Sequence, residues 1–152
     1  MKEMIRAFIP ILLAGAAFGS VSDDLRKFEG LRLNAYRDTQ GFWTCGYGRR
    51  CAQGTKMTLL EAEKALADDI TKAEQGARHV FPSYADLPVH IQEVLVELCF
   101  QLGPAGMRKF AHFGQAIQSR DYALASACLI DSRFHRQCKQ RCETLARKLT
   151  NP

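Results

Sequence analysis

The stretch Glu29 to Gly48, EGLRLNAYRDTQGFWTCGYG, holds three side chains suited to handling protons and water: Glu29, Asp38 and Thr44. Glu29 falls at the end of an expected helix, beside its last carbonyl groups and next to Phe28. Both neighbours disfavour a carboxylate and so favour the protonated form that a general acid needs. Asp38 lies in a polar turn whose local donors favour the charged form. Two carboxyl groups biased toward opposite protonation states are what cleavage of a glycosidic bond requires. A threonine hydroxyl facing the same space could hold the water that the aspartate activates. The pattern E-x8-D-x5-T is weak by itself, because acids so spaced are common on surfaces. It fits a solvated hairpin after a helix equally well.

The elements that would position these residues can be read from the flanking chain. In SDDLRKFEG, Ser22 is placed to cap a short helix, the two aspartates complement its dipole, and Gly30 stops it. Leu25 and Phe28 share a face of that helix. LRLNAY alternates as a strand, RDTQG carries turn chemistry, and FWTCGYG is an aromatic, β-branched strand. Alternation puts Phe42, Thr44, Gly46 and Gly48 on one face, and Trp43, Cys45 and Tyr47 on the other. RRCAQGTKM reads as a loop with room for a third short strand. Thr58 and Glu61 then form a capping box, and Leu59, Ala62, Leu66 and Ile70 trace a helical stripe. FPSYADLP breaks that helix. VHIQEVLVELCFQLG reads as a buried central helix ended by Gly103, Pro104 and Gly106. Shorter helices are expected near 107–118, 120–131 and 139–149. The fold class is α+β: a sheet lobe at about 23–57, a linking helix at about 58–78 and a helical lobe at about 79–152.

FEGLRLNAYRDTQGFWTCGYG resembles the catalytic segment of the phage-type lysozymes, a family of glycoside hydrolases. The resemblance covers Glu29, Gly30, Tyr36, Asp38, Gly41, Thr44, Gly46 and Gly48. It continues in MTLLEAEKALADDI, similar to the family's inter-lobe helix, in FQLGPAGMRKF and in DSRFHRQCKQR, and so spans about 22–149 in the family's order. It implies a two-lobed lysozyme-like fold and hydrolysis, with inversion, of the β-1,4 bond between N-acetylmuramic acid and N-acetylglucosamine in peptidoglycan. Glu29 would be the acid, Asp38 the opposing carboxylate and Thr44 the water holder. Phe100 and Gln101 would line the cleft, and Arg141 would balance charge beside Glu29. The resemblance implies no metal and no organic cofactor. The chain departs from the family pattern at Arg49 and Arg50, and at Phe113 and Cys128, where small polar cleft residues are expected. The segment between sheet and linking helix is also shorter.

The totals narrow the partners. A hydrophobic share of 47% and a charged share of 24% describe a globular chain, which excludes wholesale disorder. The net charge of +5 favours an anionic partner such as a wall polymer, an acidic membrane or nucleic acid. Arg133, Arg136, Lys139, Arg141, Arg147 and Lys148 form a basic stretch with Glu143 as its lone acid, but no nucleic-acid recognition motif accompanies it. Between Arg6 and Asp23 the chain is uncharged, AFIPILLAGAAFGSVS. As a helix it would span roughly 24 Å, short of a bilayer's core. Residues 1–22 are therefore read as a cleaved signal peptide or a weak signal anchor, similar to that of endolysins released from the inner membrane. Export to the host periplasm, a monomeric state and lysis of the host are the matching expectations. Six cysteines, an even number, point to disulfides in an oxidising compartment, with a Cys45–Cys51 loop as the plausible local pair. A zinc site from Cys45, Cys51, His135, Cys138 and Cys142 is disfavoured by the C-x5-C spacing. A non-catalytic wall-binding module on the same fold is the alternative to an enzyme.

Overall fold

A computed structural model describes residues 19–151, and the expected signal or anchor segment lies almost wholly outside them. Among the described residues no helix is long and apolar enough to cross a membrane. The first helix, α1, runs Gly19–Glu29, so it begins before the expected Ser22 cap. Val21 and Leu25, four residues apart, are both fully buried, and winding the earlier turn lets Val21 join that apolar face. Glu29 is the last helical residue, as its place before Gly30 predicts. The Gly30 N–H closes the turn on the Arg26 carbonyl at 3.1 Å.

The sheet has three antiparallel strands in the order β1 (Arg32–Arg37), β2 (Trp43–Gly46) and β3 (Arg49–Arg50). Thr44 on the central strand pairs with Tyr36 on one side and Arg50 on the other. β2 stops at Gly46, short of the expected Gly48, because Gly46 and Gly48 both take positive φ and turn the chain at Tyr47.

The 22-residue helix α2 (Leu59–Val80) starts on the predicted capping box of Thr58 and Glu61. Its buried face consists of Ala62, Ala65, Leu66, Ala73, Gly76 and Ala77, whereas Leu59, expected in the stripe, is 54% exposed at the tip. These small residues let the central helix approach closely. A Cβ at Gly76 would lie 2.7 Å from the Cys99 sulfur. A 3-10 turn (Tyr84–Asp86) leads to that central helix, α3 (Val89–Arg108), which is broken at Gly103 (φ 67, ψ 168) before Pro104. α4 (Ala111–Gln118), α5 (Tyr122–Ile130), α6 (Arg133–Gln137) and α7 (Lys139–Thr150) complete the helical part. The short α6, capped by Ser132 on the His135 N–H, was not expected from the pattern. The core is contiguous, gathering α1, the turn at Tyr47 and residues from each of the helices α2 to α7. The architecture is α+β, a small sheet and a larger helical body joined by α2.

The expected disulfides are not formed: all six cysteines are free thiols. The sheet register explains the local pair. Cys45 pairs with Arg49, and the Cys51 N–H bonds the Trp43 carbonyl at 2.9 Å, so the two cysteines are diagonal neighbours. The two side chains therefore lie close enough to interact, yet both remain thiols. Burial, with Cys51 beside it, pushes the Cys45 thiol up to about 11. Cys142 is likewise pushed up to about 11, first by burial, and donates to the Leu129 carbonyl at 3.2 Å.

Candidate active site

Glu29 stands where α1, the sheet turn, α3 and α7 converge. Arg141 of α7 reaches it across 112 residues of sequence, and its Nη1 donates to Glu29 Oε1 at 2.6 Å. The same nitrogen donates to Gln101 Oε1 at 2.6 Å. Arg141 is buried, and its guanidinium carbon lies 5.4 Å from the Phe28 ring centre. The fourth neighbour is Gly48. A Cβ there would sit 2.8 Å from Glu29 Oε2, and the residue holds φ +77. Only glycine meets both conditions, so the turn can close on the carboxyl group.

Asp38 is held by its own turn. Its Oδ1 accepts the N–H groups of Gln40 and Phe42, each at 2.9 Å, while its backbone N–H bonds the Phe42 carbonyl at 2.9 Å. The Thr44 hydroxyl lies 3.4 Å from Asp38 Oδ2 and 3.2 Å from the Phe42 carbonyl, its two acceptors. The Phe42 N–H holds the Asp38 carboxyl below the ordinary aspartate range, with the Gln40 N–H, Thr44 hydroxyl and Arg50 charge acting the same way against slight burial. Thr44 is 3% exposed, so the sheet fixes its position. Arg50 stacks on Phe42, its guanidinium carbon 3.6 Å from the ring centre.

The structure thus gathers Glu29, Gln101 and Arg141 into one group, and Asp38 and Thr44 into a second. Phe100 packs half-buried against the core next to Gln101. Two contributors were not singled out in the sequence. Gly48 belonged to a glycine pair, but nothing local showed which side chain it must clear. The other is a support behind the turn. Tyr47 donates its hydroxyl to Glu63 Oε1 at 2.6 Å, and Arg26 donates to Glu63 Oε2 at 2.7 Å, tying the sheet turn and α1 to α2. Among the described residues no three His, Cys, Asp or Glu side chains cluster as a metal site.

The family model described as Phage lysozyme matches residues 26–150. The chain belongs to the phage lysozyme family. Its two-lobed α+β architecture is the lysozyme-like fold. The chain is similar to the pre-baseplate central spike protein Gp5 of Enterobacteria phage T4, at 25% identity over 149 residues. The match takes in 80% of the chain and 26% of that relative, so the chain spans about a quarter of the relative's length.

Proposed function

We propose that this lysozyme hydrolyses the β-1,4 bond between N-acetylmuramic acid and N-acetylglucosamine in peptidoglycan, with Glu29 as general acid and Asp38 as general base. Glu29 gives its proton to the glycosidic oxygen as the bond from that oxygen to the anomeric carbon breaks. A water on the opposite face of the ring attacks the carbon and gives its proton to Asp38. The Thr44 hydroxyl, its own hydrogen directed at Asp38 or Phe42, keeps lone pairs free to accept from that water. The sugar is released with inverted configuration, which calls for carboxyl groups roughly 6.5–9.5 Å apart. Gln101 and Arg141, with Phe100, form the helical side of the substrate site.

The observation that carries this reading is the placement of Glu29 at the meeting point of sheet turn and helical body, in direct contact with Arg141 and abutting Gly48. The test is turbidity loss of outer-membrane-stripped Gram-negative cells by the full chain, Glu29→Gln and Asp38→Asn. Each variant should fold normally by circular dichroism and lose about a hundredfold or more in rate. Equal clearing by the wild type and Glu29→Gln would place the chemistry elsewhere. Proton NMR of the first-formed sugar anomer tests inversion separately.

The biological setting proposed is an endolysin that acts as a monomer, is exported to the host periplasm and is first tethered to the inner membrane by residues 1–22. The uncharged stretch between Arg6 and Asp23 supports this. Fractionation of expressing cells checks it, since export requires the protein in periplasmic or membrane fractions.

A further inference from the structure

Glu97 is fully buried in the middle of α3, within the apolar run VLVELCF. A hydrophobic side chain there would pack without the cost of desolvating a charge. Its partner is Lys148 of α7, whose Nζ donates to Glu97 Oε1 at 2.8 Å and also pairs with Asp24 of α1. The cluster therefore joins the same three helices as the Glu29–Arg141–Gln101 group. Glu97 and Gln101 are one turn apart on α3, Arg141 and Lys148 two turns apart on α7, and Asp24 precedes Glu29 on α1. The two groups form adjacent storeys of one polar interface.

The upper storey is incompletely satisfied. Among the described residues, Arg141 Nε and Nη2 are buried without hydrogen-bond partners, and so is Glu97 Oε2 on the storey below. Among the described residues one nitrogen, Nη1, makes both side-chain hydrogen bonds of Arg141, which leaves the rest of its guanidinium to be steered by the surrounding charge.

We propose that Asp24, Lys148 and Glu97 are positioning residues for the catalytic group: they lock α1 against α3 and α7 and supply the buried negative charge that balances Arg141 beside Glu29. The inference rests on the reading of Glu29 as the general acid. The charges acting on Glu97 come from Lys148 and Arg141 of α7 and Asp24 of α1, while the buried faces of α2 and α4 are apolar. Burial pushes Glu97 up to about 7 against the pull of Lys148, so the charge it lends is adjustable near neutrality. Burial also works against the charge of Lys148, but Glu97 and Asp24 outweigh it and hold the lysine above its ordinary range.

The test uses the full chain with Glu97→Met and Lys148→Met together, an apolar exchange that keeps volume and removes both members of the buried pair at once. Asp24→Asn at the rim, Lys148→Arg and Glu29→Gln accompany it. The apolar pair should melt at or above the wild-type temperature, keep its KM, and lose about tenfold or more in kcat. Asp24→Asn should lose kcat by a smaller factor, and Lys148→Arg should retain most of it. A folded apolar pair with wild-type kcat would overturn the proposal. Should the pair not fold, an Asp24→Asn variant with wild-type kcat overturns it equally. Activity surviving in Glu29→Gln would instead remove the reading on which the inference stands.

Discussion

At Gly48 the chain has no room for even a methyl group, because Glu29 Oε2 already occupies the space and φ is positive. Gly48→Ala should therefore cost about 1–2 kcal/mol of stability from the backbone alone. It should also push Glu29 out of place and lower kcat by about tenfold to a hundredfold. Urea melts and steady-state kinetics on the same variant separate the two effects. Asp38 makes the opposite kind of prediction, since its donors are local and the one side-chain donor, Thr44, can be removed without touching the backbone pair. Thr44→Val deletes one donor to the charged form, so the Asp38 carboxyl titrates at higher pH and the acid limb of activity moves up. An acid limb that stays put in a folded Thr44→Val would mean that the backbone N–H groups alone hold the carboxylate, or that another group sets the limb. The linkage has the usual aspartate sign. Because the folded value is depressed, the stability Asp38 lends is present above its unfolded pKa and is lost as pH falls through the folded one.

At the level of elements, the α2–α3 contact depends on small side chains. Gly76→Ala would set a Cβ 2.7 Å from the Cys99 sulfur and 2.9 Å from the Pro104 ring. The overpacking should outweigh the gain in helix propensity and destabilise by about 1–3 kcal/mol, measured by urea melts. Cys99→Ala alongside it should restore part of the loss. α1 is held from two sides, by Arg26 and Glu63 toward α2 and by Asp24 and Lys148 toward α7. A short helix carrying a reactive carboxyl group at its last residue needs such lateral ties, because helix ends fray. The amphipathic patterns of α2 and α3 showed which faces are buried, but Leu59 failed to follow its stripe. It lies in the first turn, beyond the reach of the helices that cover the rest of that face.

For the molecule as a whole, Glu97 couples folding to pH with the reverse sign from Asp38. Its proton is held more tightly in the folded chain than in the unfolded one, so stability falls as pH rises from the ordinary glutamate value through about 7. Urea melts between about pH 5 and about pH 8.5 should show this decline, and Glu97→Gln should flatten it. The six thiols give a second global test: alkylation of unreduced protein in denaturant should label all six, and reductant should leave activity unchanged. What the sequence determined by itself is what short-range chemistry decides. The end of α1 at Glu29, the Asp38 turn closed by residues within four positions, and the capping box at Thr58 each arise from neighbours along the chain. The order of motifs also carried the family and hence the two-lobed fold. Tertiary structure decided the rest, because its partners are remote. Arg141 meets Glu29 across 112 residues and Lys148 meets Glu97 across 51, and only the packing of α1, α3 and α7 sets those distances. The cysteines show the same division, since their number is a property of the chain but their pairing depends on strand register and on which helices bury them.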